Sequence, residues 1–285
     1  MSDAALSFVD AHVHFWDGAR LPYPWLAEVP AIAGPHTPAE LAVAAAPRPP
    51  AAIVFVESAV APVHASDEVR WVEAMTGVPR VAAIVAQVAV DRGAETEAAL
   101  AALGAHSFVR GVRHIIQAHP EPDYAARPAF IAGVRRVGER GWTFDLCLAH
   151  TQLPASIDLV RACPETSFIL DHAGKPDIRR GALDPWRAHI AALARLPNVV
   201  CKLSGLVTEA DPATWTVAAL RPYVEHLLSC FGPERLLFGS DWPVVNLAAD
   251  YRRWLETALE LLEPLPAAAR AAVLSDNARR IYHLS

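Results

Sequence analysis

Residues 9–17 read VDAHVHFWD and set His12 and His14 one residue apart, on what the pattern predicts to be a short buried strand. Side chains alternate along a strand, so positions i and i+2 point the same way. The two imidazoles therefore form a pincer, with Asp10 on the same face. Such a pair can hold a metal ion or polarise a substrate oxygen. A single histidine in this setting would be a core residue bonded to a backbone carbonyl. The argument for chemistry rests on partners far downstream, in three motifs. Residues 170–176 (LDHAGKP) carry His172 and Lys175, residues 202–205 (KLSG) carry Lys202 and Ser204, and residues 238–243 (FGSDWP) carry Asp241 and Trp242. A carboxylate such as Asp241 can bind a metal, orient an imidazole or take a proton from water. Alone it would be read as a helix cap or a turn residue.

The elements that must position these groups recur eight times. Short runs rich in β-branched residues fall at 8–16, 51–58, 80–88, 108–116, 142–148, 166–174, 198–205 and 235–241. Between them lie helical patterns, for example 65–76, 153–163 and 222–231, each with one apolar face. Strand and helix alternating eight times predict parallel strands with helices outside. The fold expected is α/β, a (β/α)8 barrel in one domain spanning 1–285. A barrel places its chemistry at the C-terminal ends of the strands, where Glu57, Ser58, His114, Asp171, His172, Ser204, Ser240 and Asp241 fall. Closure would set strand eight beside strand one, bringing Asp241 to His12 and His14. An open doubly wound sheet would more often show a Gly-rich turn after its first strand, where this chain has His-Phe-Trp-Asp. Residues 18–50, rich in proline and aromatics, exceed a minimal barrel. They are expected to form a partial lid or pocket wall, or a surface loop on the rim.

Composition narrows the function classes. The chain has 285 residues, is 53% hydrophobic and 20% charged, and carries a net charge of −6. That suits a large soluble core and argues against nucleic acid or an anionic membrane surface as partner. No apolar stretch is long enough to span a bilayer, and the N-terminal residues show no secretory pattern. Cys147, Cys163, Cys201 and Cys230 lack metal or disulfide spacing and read as reduced thiols of a cytoplasmic protein.

Taken together, VDAHVHFWD, GVRHIIQ, LDHAGKP, CKLSGL, FGSDWP and the terminal DNARRIYHL resemble the lactonase branch of the amidohydrolase superfamily. Within it the resemblance is to sugar lactonases of the L-fuconolactonase and L-rhamnonolactonase type. It implies a barrel that opens a cyclic ester to a hydroxy acid, with a small-molecule sugar lactone as partner. It also implies that His12, His14, His172 and Asp241 line the catalytic centre. The chemistry agrees, because a lactone needs water, a base and a carbonyl polariser. Asp241 suits the base, kept ionised by imidazoles and by Lys175 or Lys202. The three histidines suit stabilisation of charge on the carbonyl oxygen. Arg113 and His114 from GVRH, together with Glu57, Asp145, Lys175, Lys202, Ser204 and Trp242, are the substrate-binding candidates. Gln152 is a weaker one, and Trp16, Trp25 and Trp242 offer an apolar wall for a ring face.

A metal set is available in His12, His14, His172 and Asp241, chemically suited to zinc. The middle of the barrel offers Asp145 and Cys147 rather than the usual histidine or lysine. The resemblance to the lactonase branch implies that no cofactor is required, and an activated ester needs less Lewis-acid help than an amide. Three other readings stand beside the sugar lactonase. One is a lactonase for pyrone or muconolactone carboxylates, which needs more arginine in the pocket; Arg179 and Arg180 could supply it. Another is a zinc-dependent decarboxylase of the same superfamily. The third is a non-catalytic barrel.

Overall fold

The structure is a computed structural model and describes residues 7–77 and 79–284. Eight strands follow one another around a single sheet: β1 (Val9–Val13), β2 (Ala52–Val56), β3 (Arg80–Gln87), β4 (Val109–Arg113), β5 (Thr143–Leu146), β6 (Ser167–Leu170), β7 (Val199–Leu203) and β8 (Leu236–Phe238). Every neighbouring pair from β1·β2 to β7·β8 is parallel. The ring closes through a bridge between Val13 and Trp242, where the His14 amide donates to the Trp242 carbonyl at 2.8 Å and the Asp241 amide to the His12 carbonyl at 2.9 Å. The expected (β/α)8 barrel is what forms, each strand lying inside its predicted run.

The helices are α1 (Pro38–Ala44), α2 (Ala65–Glu73), α3 (Ala94–Leu103), α4 (Pro128–Gly138), α5 (Leu153–Ala162), α6 (Trp186–Ala194), the single turn α7 (Leu206–Glu209), α8 (Val217–Phe231), α9 (Tyr251–Leu262), α10 (Ala267–Ala271) and α11 (Asn277–Ile281). The helix expected over 222–231 begins five residues earlier. The Thr216 side chain accepts from the Ala219 amide and starts α8 there, so that Pro222 lies inside it. None of the described helices is long and apolar enough to cross a membrane.

Two apolar layers result. Val9, Ala11, Val54, Val56, Val85, Ile169, Val200 and Leu237 cluster with Ala278 and Tyr282 from the C-terminal end. Residues from six strands meeting in one cluster mark the barrel interior, which Tyr282 helps to plug. A larger cluster, including Ile53, Phe55, Phe144, Leu159 and Trp254, fills the space between strands and helices.

The pairing of β1 with β2 is irregular between Asp10 and Val13. A local irregularity of this kind re-aims side chains that simple alternation would align. Asp10 therefore does not share a face with the two histidines. Its carboxylate accepts from the Ser240 amide at 2.8 Å, the Tyr251 hydroxyl of α9 at 2.9 Å and the His12 amide at 3.2 Å. Asp10 ties β1 to the start of the β8 loop.

Candidate active site

His12 and His14 meet at the C-terminal mouth of the barrel, with their Nε2 atoms 3.1 Å apart. Asp241, just beyond β8, brings Oδ1 to 3.3 Å from His14 Nε2 and 3.7 Å from His12 Nε2. His172, just beyond β6, places its own Nε2 3.9 Å from the same oxygen. All four side chains are buried. The local backbone is unusual: His172, Ala173, Lys175 and Asp241 all have φ between 49° and 60°. Non-glycine residues reach that region at a cost, and such strain collects where function requires a fixed aim. Two motif glycines make room. A Cβ at Gly239 would stand 2.7 Å from His12 Cβ, and one at Gly205 would stand 2.6 Å from His172 Nδ1.

What lies behind the imidazoles constrains their tautomers. His14 Nδ1 is 2.8 Å from the Val56 carbonyl, which can only accept, so Nδ1 carries the proton and Nε2 a lone pair. His12 Nδ1 faces Asp171 Oδ1 at 3.3 Å. His172 Nδ1 is 2.9 Å from the Ser204 hydroxyl, which can donate, leaving His172 free to present Nε2–H to the site.

Below this layer is a buried charge network. Arg113 donates through Nε to Glu57 Oε1 at 2.7 Å, through Nη2 to the Glu57 carbonyl at 2.7 Å and through Nη1 to Asp171 Oδ2 at 3.2 Å. Lys202 Nζ lies 2.5 Å from Asp145 Oδ2 and 3.0 Å from Asp171 Oδ1. Burial alone would push Asp171 up, but Lys202, His12 and Arg113 outweigh it and hold its carboxyl well below the usual range. Burial likewise opposes ionisation of Asp241, and its carboxyl lies below the usual range through His172 first, a donor at Nε2, with His14 and His12 contributing when they carry a second proton. Burial lowers His172 to about 4, and burial next to Lys202 keeps His12 neutral.

A cavity of about 300 Å³ opens over these groups, its wall including His14, Arg113, His172, Lys175 and Asp241 on the polar side. Trp25, Ile115, Cys147 and Val244 form its apolar side. Trp25 belongs to the 18–50 excursion and is pinned by its Nε1 donating to the Ser58 carbonyl at 2.8 Å. That excursion packs through Tyr23, Leu26 and Ile32 against Trp16 and Val60, and so contributes a pocket wall.

The remaining candidates lie outside the cavity lining. Asp145, Lys202 and Ser204 are fully buried and engaged in the contacts above. Glu57 is occupied by Arg113 and by the Ala59 amide at 2.7 Å. His114 stacks on Phe130 with ring centroids 5.3 Å apart and lines a neighbouring pocket. Trp242 and Trp16 are buried behind the mouth, and Gln152 donates to the Ile116 carbonyl at 2.7 Å. Arg179 and Arg180 are exposed. Asp171 is legible as a polar strand end in LDHAGKP, but not as a site residue, because its importance lies in contacts with residues 12, 113 and 202. Gln117 and Ile115, from GVRHIIQ, were likewise not singled out.

The three atoms His12 Nε2, His14 Nε2 and Asp241 Oδ1 fit a divalent ion. The circle through them, from separations of 3.1, 3.3 and 3.7 Å, has a radius of about 2.0 Å, the length of a zinc–nitrogen or zinc–carboxylate bond. The arrangement also has the outer partners that metal-binding histidines use, a backbone carbonyl behind His14 and a carboxylate behind His12.

The chain matches the amidohydrolase family model over residues 9–284. It is 31% identical over 282 residues to an L-fucono-1,5-lactonase of Burkholderia ambifaria, covering 97% of this chain and 95% of that protein. It is 34% identical over 301 aligned positions to an L-fucono-1,5-lactonase of Burkholderia multivorans, covering 97% and 96%. Among solved structures, an amidohydrolase from Burkholderia multivorans with bound zinc is similar at a TM-score of 0.87 and 32% identity, covering 98% of this chain and 100% of that one. Motifs, barrel and relatives agree, and the chain belongs to the amidohydrolase family.

Proposed function

We propose that this protein is a carboxylic ester hydrolase that opens the lactone of a neutral sugar acid, of the L-fuconolactone kind, to the free hydroxy acid. The observation that carries the substrate class is the state of the two cavity cations. Arg113 is matched by Glu57 and Asp171, and Lys175 Nζ lies 3.6 Å from Glu209. A carboxylate-bearing lactone needs a cation free to pair with it, and neither of these is free. A polyol lactone needs hydrogen bonds and an apolar face for its ring, which Trp25 supports. The names of the relatives favour the same class.

In this reading Asp241, ionised and beside the cavity, takes the proton of the attacking water. His172 presents Nε2–H to the carbonyl oxygen as negative charge develops, backed by Ser204. His12 and His14 offer lone pairs and cannot act as donors to that oxygen. With Asp241 they would hold a divalent ion, which when bound would polarise the carbonyl and acidify water. The acceptor geometry thus supports a cation, where the sequence alone inclined towards a metal-free reaction. The cysteines are free and mostly buried, which suits a reducing compartment such as the cytoplasm.

The test is acid release from L-fuconolactone and from a pyrone dicarboxylate lactone, by metal-stripped and zinc-loaded protein. Turnover of the sugar lactone, with the dicarboxylate much poorer, is expected. Preference for the dicarboxylate, or decarboxylation without lactone hydrolysis, would overturn the reading.

A further inference from the structure

We infer that Asp171 is a positioning residue: it holds His12 in the tautomer protonated on Nδ1, so that His12 Nε2 faces the site as a lone pair. His12 Nδ1 and Asp171 Oδ1 face each other at 3.3 Å, both side chains fully buried. Asp171 Oδ1 also has Lys202 Nζ at 3.0 Å, whereas Asp171 is the only acceptor that faces His12 Nδ1 among the described residues. A buried N–H turned towards a carboxylate oxygen is satisfied there, and without it His12 Nδ1 would be unpaired in a dry core. Placing the proton on Nε2 instead would set His12 Nδ1 as an acceptor opposite a carboxylate oxygen and Nε2–H opposite Arg113 Nη1, a donor 3.4 Å away. The Nδ1–H tautomer leaves the His12 and His14 Nε2 lone pairs 3.1 Å apart, a contact that a bound cation would satisfy.

The carboxylate is suited to orienting the ring without charging it. Its negative charge is already shared by Lys202 at 3.0 Å and Arg113 at 3.2 Å. The same two cations bind Asp145 and Glu57 at 2.5 and 2.7 Å. Around Asp171 there are thus three carboxylates and two cations. Removing Asp171 leaves each cation with one carboxylate, so the surrounding network stays matched. This allows a substitution that tests the hydrogen bond apart from the charge.

Asp171→Leu removes both the acceptor and the charge. Asp171→Asn removes the charge but keeps an amide oxygen for His12 Nδ1 and Lys202, while its NH2 replaces the oxygen that accepts from Arg113 Nη1, which keeps Glu57 as partner. Zinc alone is titrated into metal-stripped full-length protein, and histidine nitrogen-15 shifts are recorded without metal. The expected result is a zinc affinity about 10–100-fold weaker for Asp171→Leu, the range for lost outer partners of a ligating histidine. Asp171→Asn is expected to stay within about threefold of the parent, on the same reasoning that its oxygen still meets Nδ1–H. The parent protein should show His12 as the Nδ1–H tautomer, and Asp171→Leu a mixture. Equal weakening in both variants would assign the effect to charge and overturn the inference. An Nε2–H tautomer of His12 in the parent protein would overturn it too, and that measurement needs neither a folded variant nor bound metal. The inference holds for any lactone, so a failed lactonase assay leaves it standing.

Discussion

Replacing Asp10 by asparagine should stabilise the protein in mild alkali and leave it nearly unchanged in acid. Asp10 is fully buried, and burial raises its carboxyl from the ordinary 3.8 to about 6, despite hydrogen bonds from Ser240, Tyr251 and His12 that pull the other way. The folded protein therefore keeps a proton that the unfolded chain releases between about pH 4 and 6. Stability falls as pH rises through that window, and above it the deficit is about 3 kcal/mol, two pH units at about 1.4 kcal/mol each. Asparagine cannot ionise and avoids that loss. Its oxygen can still accept from the Ser240 and His12 amides, and its NH2 group meets the Tyr251 hydroxyl where the protonated Asp10 already sets an O–H, so it mimics the neutral acid. The net expectation is a variant about 3 kcal/mol more stable at pH 8 and within about 1 kcal/mol of the parent at pH 4. At about 2 cal/mol/K of unfolding entropy per residue, the pH 8 gain is about 5 °C in Tm. Urea unfolding at a series of pH values, followed by circular dichroism, measures it. If Asp171 and the histidines hold the site as described, lactone turnover should survive the change. A variant less stable at both pH values would show that the three hydrogen bonds outweigh burial and that Asp10 is ionised in the fold.

Other substitutions separate chemistry from architecture. Asp241→Asn should lower kcat by about 10²–10⁴ while the thermal transition stays in place, the scale of a lost general base; near-normal turnover would remove Asp241 from that role. Glu57→Gln should release Arg113 from its closest partner and raise kcat/KM for a carboxylate-bearing lactone, relative to a neutral one, by about tenfold. An unchanged ratio would mean that charge pairing does not decide substrate class. Gly239→Ala should cost about 1–3 kcal/mol in thermal denaturation, since its Cβ would press on His12 at 2.7 Å, and a silent substitution would show that the β8 end can yield.

The barrel was legible because its signal is local and repeated. Eight β-branched runs separated by helical or loop segments predict buried strands, and β1 to β8 all form inside them. The convergence of His12, His14, His172 and Asp241 followed from one topological premise, that the last strand closes on the first. Alternation misled at Asp10, because the irregular register between Asp10 and Val13 is a property of β1 against β2 and leaves no mark in either run alone. Asp145 and Lys202 look like substrate-binding groups in the sequence for a related reason. Their residue types and strand positions were right for a polar mouth, but whether a strand residue points into the cavity or beneath it depends on barrel tilt and on what packs opposite.

The amino-acid order thus determined the eightfold α/β repeat and the residue types that meet at one end of it, since periodicity and strand ends are written along the chain. Tertiary structure alone decided which groups are free and which are spent. Arg113 and Lys202 are cations in water, but they stay charged and matched in a dry interior only because β2, β4, β5, β6 and β7 bring Glu57, Asp145 and Asp171 to them. The tautomers of His14 and His12 are a matter of the same kind, favoured by the atoms that face their ring nitrogens, and those atoms come from residues 56, 113 and 171. Hydrogen bonds and ion pairs act over about 3 Å in space, whatever the distance along the chain.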